Sequence, residues 1–106
     1  MSNTGRPVAR AGDNVLTGHG CDTTTQIDLP KETRQVIVCG QPAAVVGDFM
    51  KPHTIGSTPP FCNFHTGAIV NTGSATVLVG NKPLARQGDS ADLGTITNGC
   101  TSVLAG

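Results

Sequence analysis

Apolar positions along this chain come in short runs punctuated by turn residues. The run Val36-Ile37-Val38 leads into Cys39-Gly40-Gln41, then Pro42, the small stretch Ala43-Ala44-Val45-Val46 and Gly47-Asp48. The same order recurs as Val77-Leu78-Val79, Gly80-Asn81-Lys82, Pro83, Leu84-Ala85-Arg86-Gln87 and Gly88-Asp89. Runs of three β-branched or aliphatic residues on one side of a turn that contains Gly or Asn predict β-hairpins, because those residues accept the positive φ of a tight turn. A proline just after the turn fits a strand start or an edge. A third copy is divided between the two ends. Pro7-Val8-Ala9-Arg10-Ala11-Gly12-Asp13 supplies its second half and Ser102-Val103-Leu104-Ala105-Gly106 its first. If the ends meet, three hairpins close into a ring with pseudo-threefold symmetry. The fold class expected is therefore all-β, a single domain over residues 1–106.

The segments that follow each Gly-Asp leave their hairpins on the same side. In a closed ring they converge at one pole, and the hairpin turns face the other. The Asp of each Gly-Asp reads as a turn former accepting backbone N–H groups.

Composition limits how such a fold can be held together. Hydrophobic residues are 37% and aromatic residues 3% of the 106, with no Trp and no Tyr. The core must come from Val, Leu, Ile and Ala, so it will be thin, and a metal, crosslinks or a partner should help to hold it. The 14 Gly and 7 Pro fit many turns. The formal charge is zero, with no basic patch that would suit nucleic acid. No apolar run is long enough to span a bilayer, and Met1–Arg10 lacks the apolar stretch of a cleaved signal. The four cysteines, Cys21, Cys39, Cys62 and Cys100, allow two disulfides or service as metal ligands.

Chemistry-bearing residues gather in the converging loops. His19 stands six residues after Asp13, and His53 five after Asp48. His65 lies further along the second loop. Three imidazoles brought to one pole predict a shared metal, with zinc preferred over iron. Cys62, three residues before His65, ranks first as fourth ligand. Cys100, in the third loop, ranks second by symmetry, and Asp92 offers an oxygen. Cys39, at the hairpin pole, reads as a structural thiol far from the metal. A catalytic zinc with Asp48 or Asp92 as base is the weaker reading, since no substrate cleft with bulky apolar walls is indicated. Phe49, Phe61 and Phe64 are expected to pack beneath the loop pole. The chain is read as a non-enzyme.

With Pro7-Val8-Ala9-Arg10, Pro42-Ala43-Ala44-Val45 and Pro83-Leu84-Ala85-Arg86, each followed by Gly-Asp, the chain resembles the PAAR-repeat family over nearly its whole length. Gly73-Ser74-Ala75-Thr76-Val77 and Gly18-His19-Gly20-Cys21 add to the likeness. The resemblance implies a cone seated by its broad face on a trimeric β-helical spike, VgrG-like in type VI secretion or the spike of a phage tail. One copy would cap each trimer, sharpening it to breach a target envelope. The turns at Cys39-Gly40-Gln41 and Gly80-Asn81-Lys82 would contact the spike, and the tip would touch the target membrane transiently. It also implies zinc held by three histidines and a cysteine, carried over to His19, His53 and His65. Leu93 stands where the family often has its cysteine, and Val45 where it has arginine. An adaptor that carries an effector on the spike is the alternative. Expected locations are a virion tail tip or secretion with the spike, without a signal peptide or a toxic extension.

Overall fold

The computed structural model describes residues 5–28, 36–56 and 60–106. Its strands are β1 Arg6–Val8, β2 Asn14–Leu16, β3 Gly20–Cys21, β4 Thr24–Gln26, β5 Ile37–Val38, β6 Gln41–Pro42 and β7 His53–Gly56. They continue with β8 Cys62–His65, β9 Leu78–Val79, β10 Lys82–Pro83, β11 Ser90–Ala91, β12 Gly94–Ile96 and β13 Cys100–Ala105. No helix occurs among the described residues, and the protein is a small all-β domain.

The three expected hairpins are present. β5 pairs with β6, β9 with β10, and β13 with β1, all antiparallel. Ile37, Leu78 and Leu104 stand opposite Pro42, Pro83 and Pro7. Cys39 and Asn81 take positive φ at the turns, with a glycine beside each. The terminal hairpin is less regular: its register shifts between Pro7 and Val8, so Val8 pairs with Cys100.

Backbone hydrogen bonds close the ring. Ala9 N–H donates to Ala85 O, Ala85 N–H to Ala44 O, and Ala44 N–H to Ala9 O, at 2.9 to 3.0 Å. These three alanines are buried on the pseudo-threefold axis. A second cycle surrounds the first: Ala11 donates to Pro42 O, Val46 to Pro83 O and Gln87 to Pro7 O.

Each Gly-Asp then turns the chain in the same way. Asp13, Asp48 and Asp89 accept from the N–H of Arg10, Val45 and Arg86 at 2.7, 2.9 and 2.8 Å. Arg10 and Arg86 add guanidinium contacts to their aspartates. Val45 supports the same turn without an arginine at that place.

Buried side chains repeat in triplets too. Val15, Met50 and Ala91 lie two residues past each Gly-Asp, and Ile27, Val70 and Ile96 end the loops. Ile27 bridges Met50, Val70 bridges Ala91, and Ile96 pairs with Val15, so every loop is tied to the next repeat. The core is thin, as the composition predicts, and Val8, Val38, Ala43, Leu84, Cys100 and Ala105 form its layer under the hairpins.

The hairpin pole leaves apolar residues in water. Val36, Val77 and Val103 are 36 to 41% exposed, and Ile37, Leu78 and Leu104 are 50 to 57% exposed. These are equivalent positions in the three repeats. The segments 36–42, 77–83 and 100–106 carry no acidic residue.

Candidate metal centre

All three loops deliver a side chain to one cluster at the opposite pole. Thr17, fully buried, organises the first loop: its hydroxyl donates to Asp22 O at 2.8 Å, and its carbonyl accepts from Leu93 N–H in the third loop. Gly18 then passes so close to that loop that a Cβ would lie 2.1 Å from Leu93 O, at a φ of +79°. Only glycine fits there, and His19 is set down beside Asp92 as a result.

The second loop is a hairpin of β7 and β8, in which His53 and His65 are direct cross-strand partners. Opposed residues of an antiparallel pair share a face, with Cβ atoms about 4.5–5.5 Å apart. One register thus presents two imidazoles. In the third loop Asp92 sits in the turn between β11 and β12 with φ +53°, a conformation Asp adopts more readily than most residues. Its main chain is tied by Asp92 N–H to Ile69 O and by Asn71 Nδ2 to Asp92 O.

Four donor atoms meet: His19 Nε2, His53 Nε2, His65 Nδ1 and Asp92 Oδ2. Asp92 Oδ2 lies 2.9 Å from His19 Nε2, 2.8 Å from His53 Nε2 and 3.6 Å from His65 Nδ1. The nitrogens are 3.2 to 3.3 Å apart. A tetrahedron of ligands about 2.0–2.1 Å from a central ion has edges of roughly 3.3–3.4 Å. Five of the six distances, 2.8 to 3.3 Å, are at or somewhat inside that value, and the sixth, 3.6 Å, is longer.

Tautomers sharpen the point. His53 Nδ1 lies 2.8 Å from Lys51 O and His19 Nδ1 lies 3.0 Å from Gly20 O. A carbonyl only accepts, so both Nδ1 atoms carry hydrogen. In the neutral rings both Nε2 atoms then point lone pairs at a carboxylate oxygen and at each other. That arrangement is repulsive until a cation or extra protons enter, and a backbone-fixed Nδ1–H is the usual partner of a metal-binding Nε2. This His₃Asp group can hold a metal ion. The side chains of His19, His53 and Asp92 are 3 to 6% exposed and that of His65 is 24% exposed, so the cluster opens to solvent on the His65 side.

The structure does not bring the two expected cysteine ligands here. Cys62 is bonded to Cys21, and Cys100 to Cys39. For Cys62 the reason is the strand: residues three apart on β8 point to opposite faces, so the spacing that would chelate on a turn separates Cys62 from His65. Cys100 opens β13 and pairs with Val8 under the hairpins, because the third loop has already turned back at β12. Cys39 is at the hairpin pole as expected, but in a disulfide rather than as a thiol. Asp92, named as an oxygen donor but placed behind the cysteines, takes the fourth corner. Its signal was its place beside Leu93. The phenylalanines also differ from expectation: Phe49, Phe61 and Phe64 are exposed instead of packed beneath the pole. Phe64, next to His65 on β8, is turned to the other face of that strand.

Asp22 closes the first loop on the second. It accepts from Thr54 N–H and Thr54 Oγ1, both at 2.9 Å, and the N–H bond and then the hydroxyl hold its carboxyl below the ordinary value of 3.8. A depressed carboxyl contributes stability that is complete above its ordinary value and is lost as pH falls through the lower folded value. Asp22→Asn should therefore be less stable than the parent at about pH 5, and the gap should narrow as the pH falls below the ordinary value of 3.8. Thermal midpoints of chelator-treated protein across that range check this. A gap that stays constant to the acid end would show that the Asp22 charge is not responsible.

No family model matches this chain, and no curated protein is significantly similar to it.

Proposed function

We propose that this protein is a structural tip: a metal-pinned cone of the PAAR type that caps a trimeric, threefold spike and is not an enzyme. The observation that carries the reading is the ring of exposed apolar residues on the hairpin pole, Val36, Val77 and Val103 with Ile37, Leu78 and Leu104, repeated at near-equal exposure around the pseudo-threefold axis. A single chain whose contact surface repeats three times can meet three identical subunits with the same contacts. Apolar side chains left in water at such a surface favour a protein partner. The partner suited to it is the end of a trimeric β-helical spike, VgrG-like or of a phage tail, bound at one copy per trimer.

The loop pole would then lead. Its strands are only two to four residues long. A divalent ion on His19, His53, His65 and Asp92 would crosslink all three loops and resist fraying under load. Three imidazoles and one carboxylate suit zinc, which accepts nitrogen and oxygen donors in a tetrahedron; iron is the second choice. The work of such a tip is mechanical, carried out at a tail end or with a secreted spike, in passing contact with a target membrane.

The test uses charge at the broad face. The double variant Ile37→Asp and Leu78→Asp alters only exposed positions, so the fold should persist. About half of each side chain is still to be buried, which contributes about 1 kcal/mol apiece, and a carboxylate placed in the interface adds a desolvation cost, so spike binding should weaken at least about 10-fold. Native mass spectrometry of the parent with a trimeric spike should give one copy per trimer. Undiminished binding by the variant, or parent binding to a cargo protein with none to spike, would replace this reading with the effector-adaptor one.

A further inference from the structure

The Cys21–Cys62 disulfide joins the two loops that carry the histidines without belonging to the metal cluster. Cys21 is two residues past His19, and Cys62 three before His65. Their bond is the covalent link, among the described residues, between the loop that carries His19 and the hairpin that carries His53 and His65. The other ties at this end are non-covalent: β3 has two residues, registered as Gly20 with Gly56 and Cys21 with Ile55, and Asp22 is clasped by Thr54, while the bonds of Gln26 and Ile27 to Lys51 and Met50 join the loops at their base.

Local geometry shows what the bond restrains. Cys21 is a non-glycine residue at φ +68°, next but two to Gly18 at φ +79°. An L residue relaxes out of that region unless its surroundings hold it there. The sulfur packs over Gly56, where a Cβ would fall 3.1 Å from Cys21 Sγ and 2.2 Å from Phe61 O. The chain therefore leaves room for the bridge beside the central strand of the three-stranded sheet. Cys62 and His65 are on opposite faces of β8, so opening the bridge removes no donor from the cluster.

We propose that this disulfide is a positioning element that makes metal retention redox-sensitive. It rests on the metal reading of the His₃Asp cluster. With the bridge intact, His19 is already fixed opposite the β7–β8 hairpin, and the ion completes a formed site. On reduction, two electrons and two protons convert the bridge to two thiols. A tertiary phosphine supplies the electrons and becomes its oxide with oxygen from water. Cys21 then leaves its restrained conformation, His19 moves with it, and the ion must order the loop that the bridge had ordered. Supporting contacts of this kind change metal affinity about 10- to 100-fold. Linkage is reciprocal: the ion should make the bridge harder to reduce by the same factor.

The test measures Co²⁺ and Zn²⁺ affinity by chelator competition on the full chain. Three proteins are compared: the oxidised parent, the Cys21→Ser/Cys62→Ser variant and the Cys39→Ser/Cys100→Ser variant. The first pair should lose about tenfold or more, while the second, at the far pole, stays near the parent. Phosphine reduction of the parent gives a second route if a variant fails to fold. Metal loading should then slow reduction of Cys21–Cys62 but not of Cys39–Cys100. Equal losses in both variants, or no loss in either, would overturn the proposal. A sulfur-to-cobalt charge-transfer band in the reduced protein would also overturn it, since the thiols would then be ligands. If the oxidised parent binds neither ion, the metal reading itself fails and the redox inference falls with it.

Discussion

His53→Ala is expected to release the metal and lower the thermal midpoint by about 15 °C or more. His53 is central to the cluster, within 2.8 Å of Asp92 Oδ2, 3.3 Å of His19 Nε2 and 3.2 Å of His65 Nδ1. Its Nδ1–H is fixed on Lys51 O, so the ring is already oriented before an ion arrives. A ligand present at 1,000 times its dissociation constant stabilises the folded state by about 4 kcal/mol. In a domain of this size each kcal/mol moves the midpoint by about 4–8 °C. Calorimetry of parent and variant, each with and without chelator, separates metal loss from packing loss. The parent should fall to the level of the variant when chelated, and the variant should ignore the chelator. A chelator-insensitive parent that still carries stoichiometric metal would place the ion somewhere other than this cluster.

The second large effect is expected at Asp89, which is not one of the four residues of the metal cluster. Asp89 is buried and accepts from Arg86 N–H at 2.8 Å, from Arg86 Nε at 3.0 Å and Nη2 at 3.1 Å, from Arg6 Nη2 at 3.2 Å, and from Thr72 Oγ1 at 3.2 Å. Arg86 also donates to Gly73 O. Asp89→Ala leaves the largely buried Arg86 guanidinium without its counterion and the Arg86 N–H without its acceptor. Removing one partner of a buried pair costs about 3–5 kcal/mol. Arg6 is 40% exposed and can turn to water, so its share is small. Urea unfolding should show the loss as a lower midpoint with an unchanged slope. Asp89→Asn, which keeps an acceptor oxygen for the turn, should lose less. Equal losses in the two variants would mean that the ion pair matters and the turn bond does not.

These two sites mark what could be read from the sequence and what could not. The ring was legible because it repeats. Pro7, Pro42 and Pro83, and the three Gly-Asp pairs, stand in the same order with the same neighbours, and a pattern present three times fixes hairpins and turns together. The histidines were legible because His19 and His53 fall at nearly the same distance after their Gly-Asp. The fourth corner was not. Asp92 and Cys62 are each plausible from composition, and only the strand geometry of β8 turns Cys62 away from His65. The disulfides were hidden for a related reason: an even count of cysteines allows several pairings, and sequence distance says nothing of which loops meet. The exposed phenylalanines follow from size. The core layers near the axis are built from Ala, Val and Ile triplets, and a space shaped by three alanines does not admit a phenyl ring.

The alanine triangle also bears on how the molecule comes into being. Ala9, Ala44 and Ala85 must all be present before any of their bonds can form a cycle, and the hairpin that contains Ala9's neighbours is completed by β13. The first strand described therefore waits for the last. Pairings between positions this far apart in the chain impose a high contact order, and such topologies fold slowly. Until the last strand arrives, two hairpins can form locally, but β1 has no hairpin partner. The third hairpin is thus the one element that joins the two ends of the chain, and its closure awaits residues 100–105.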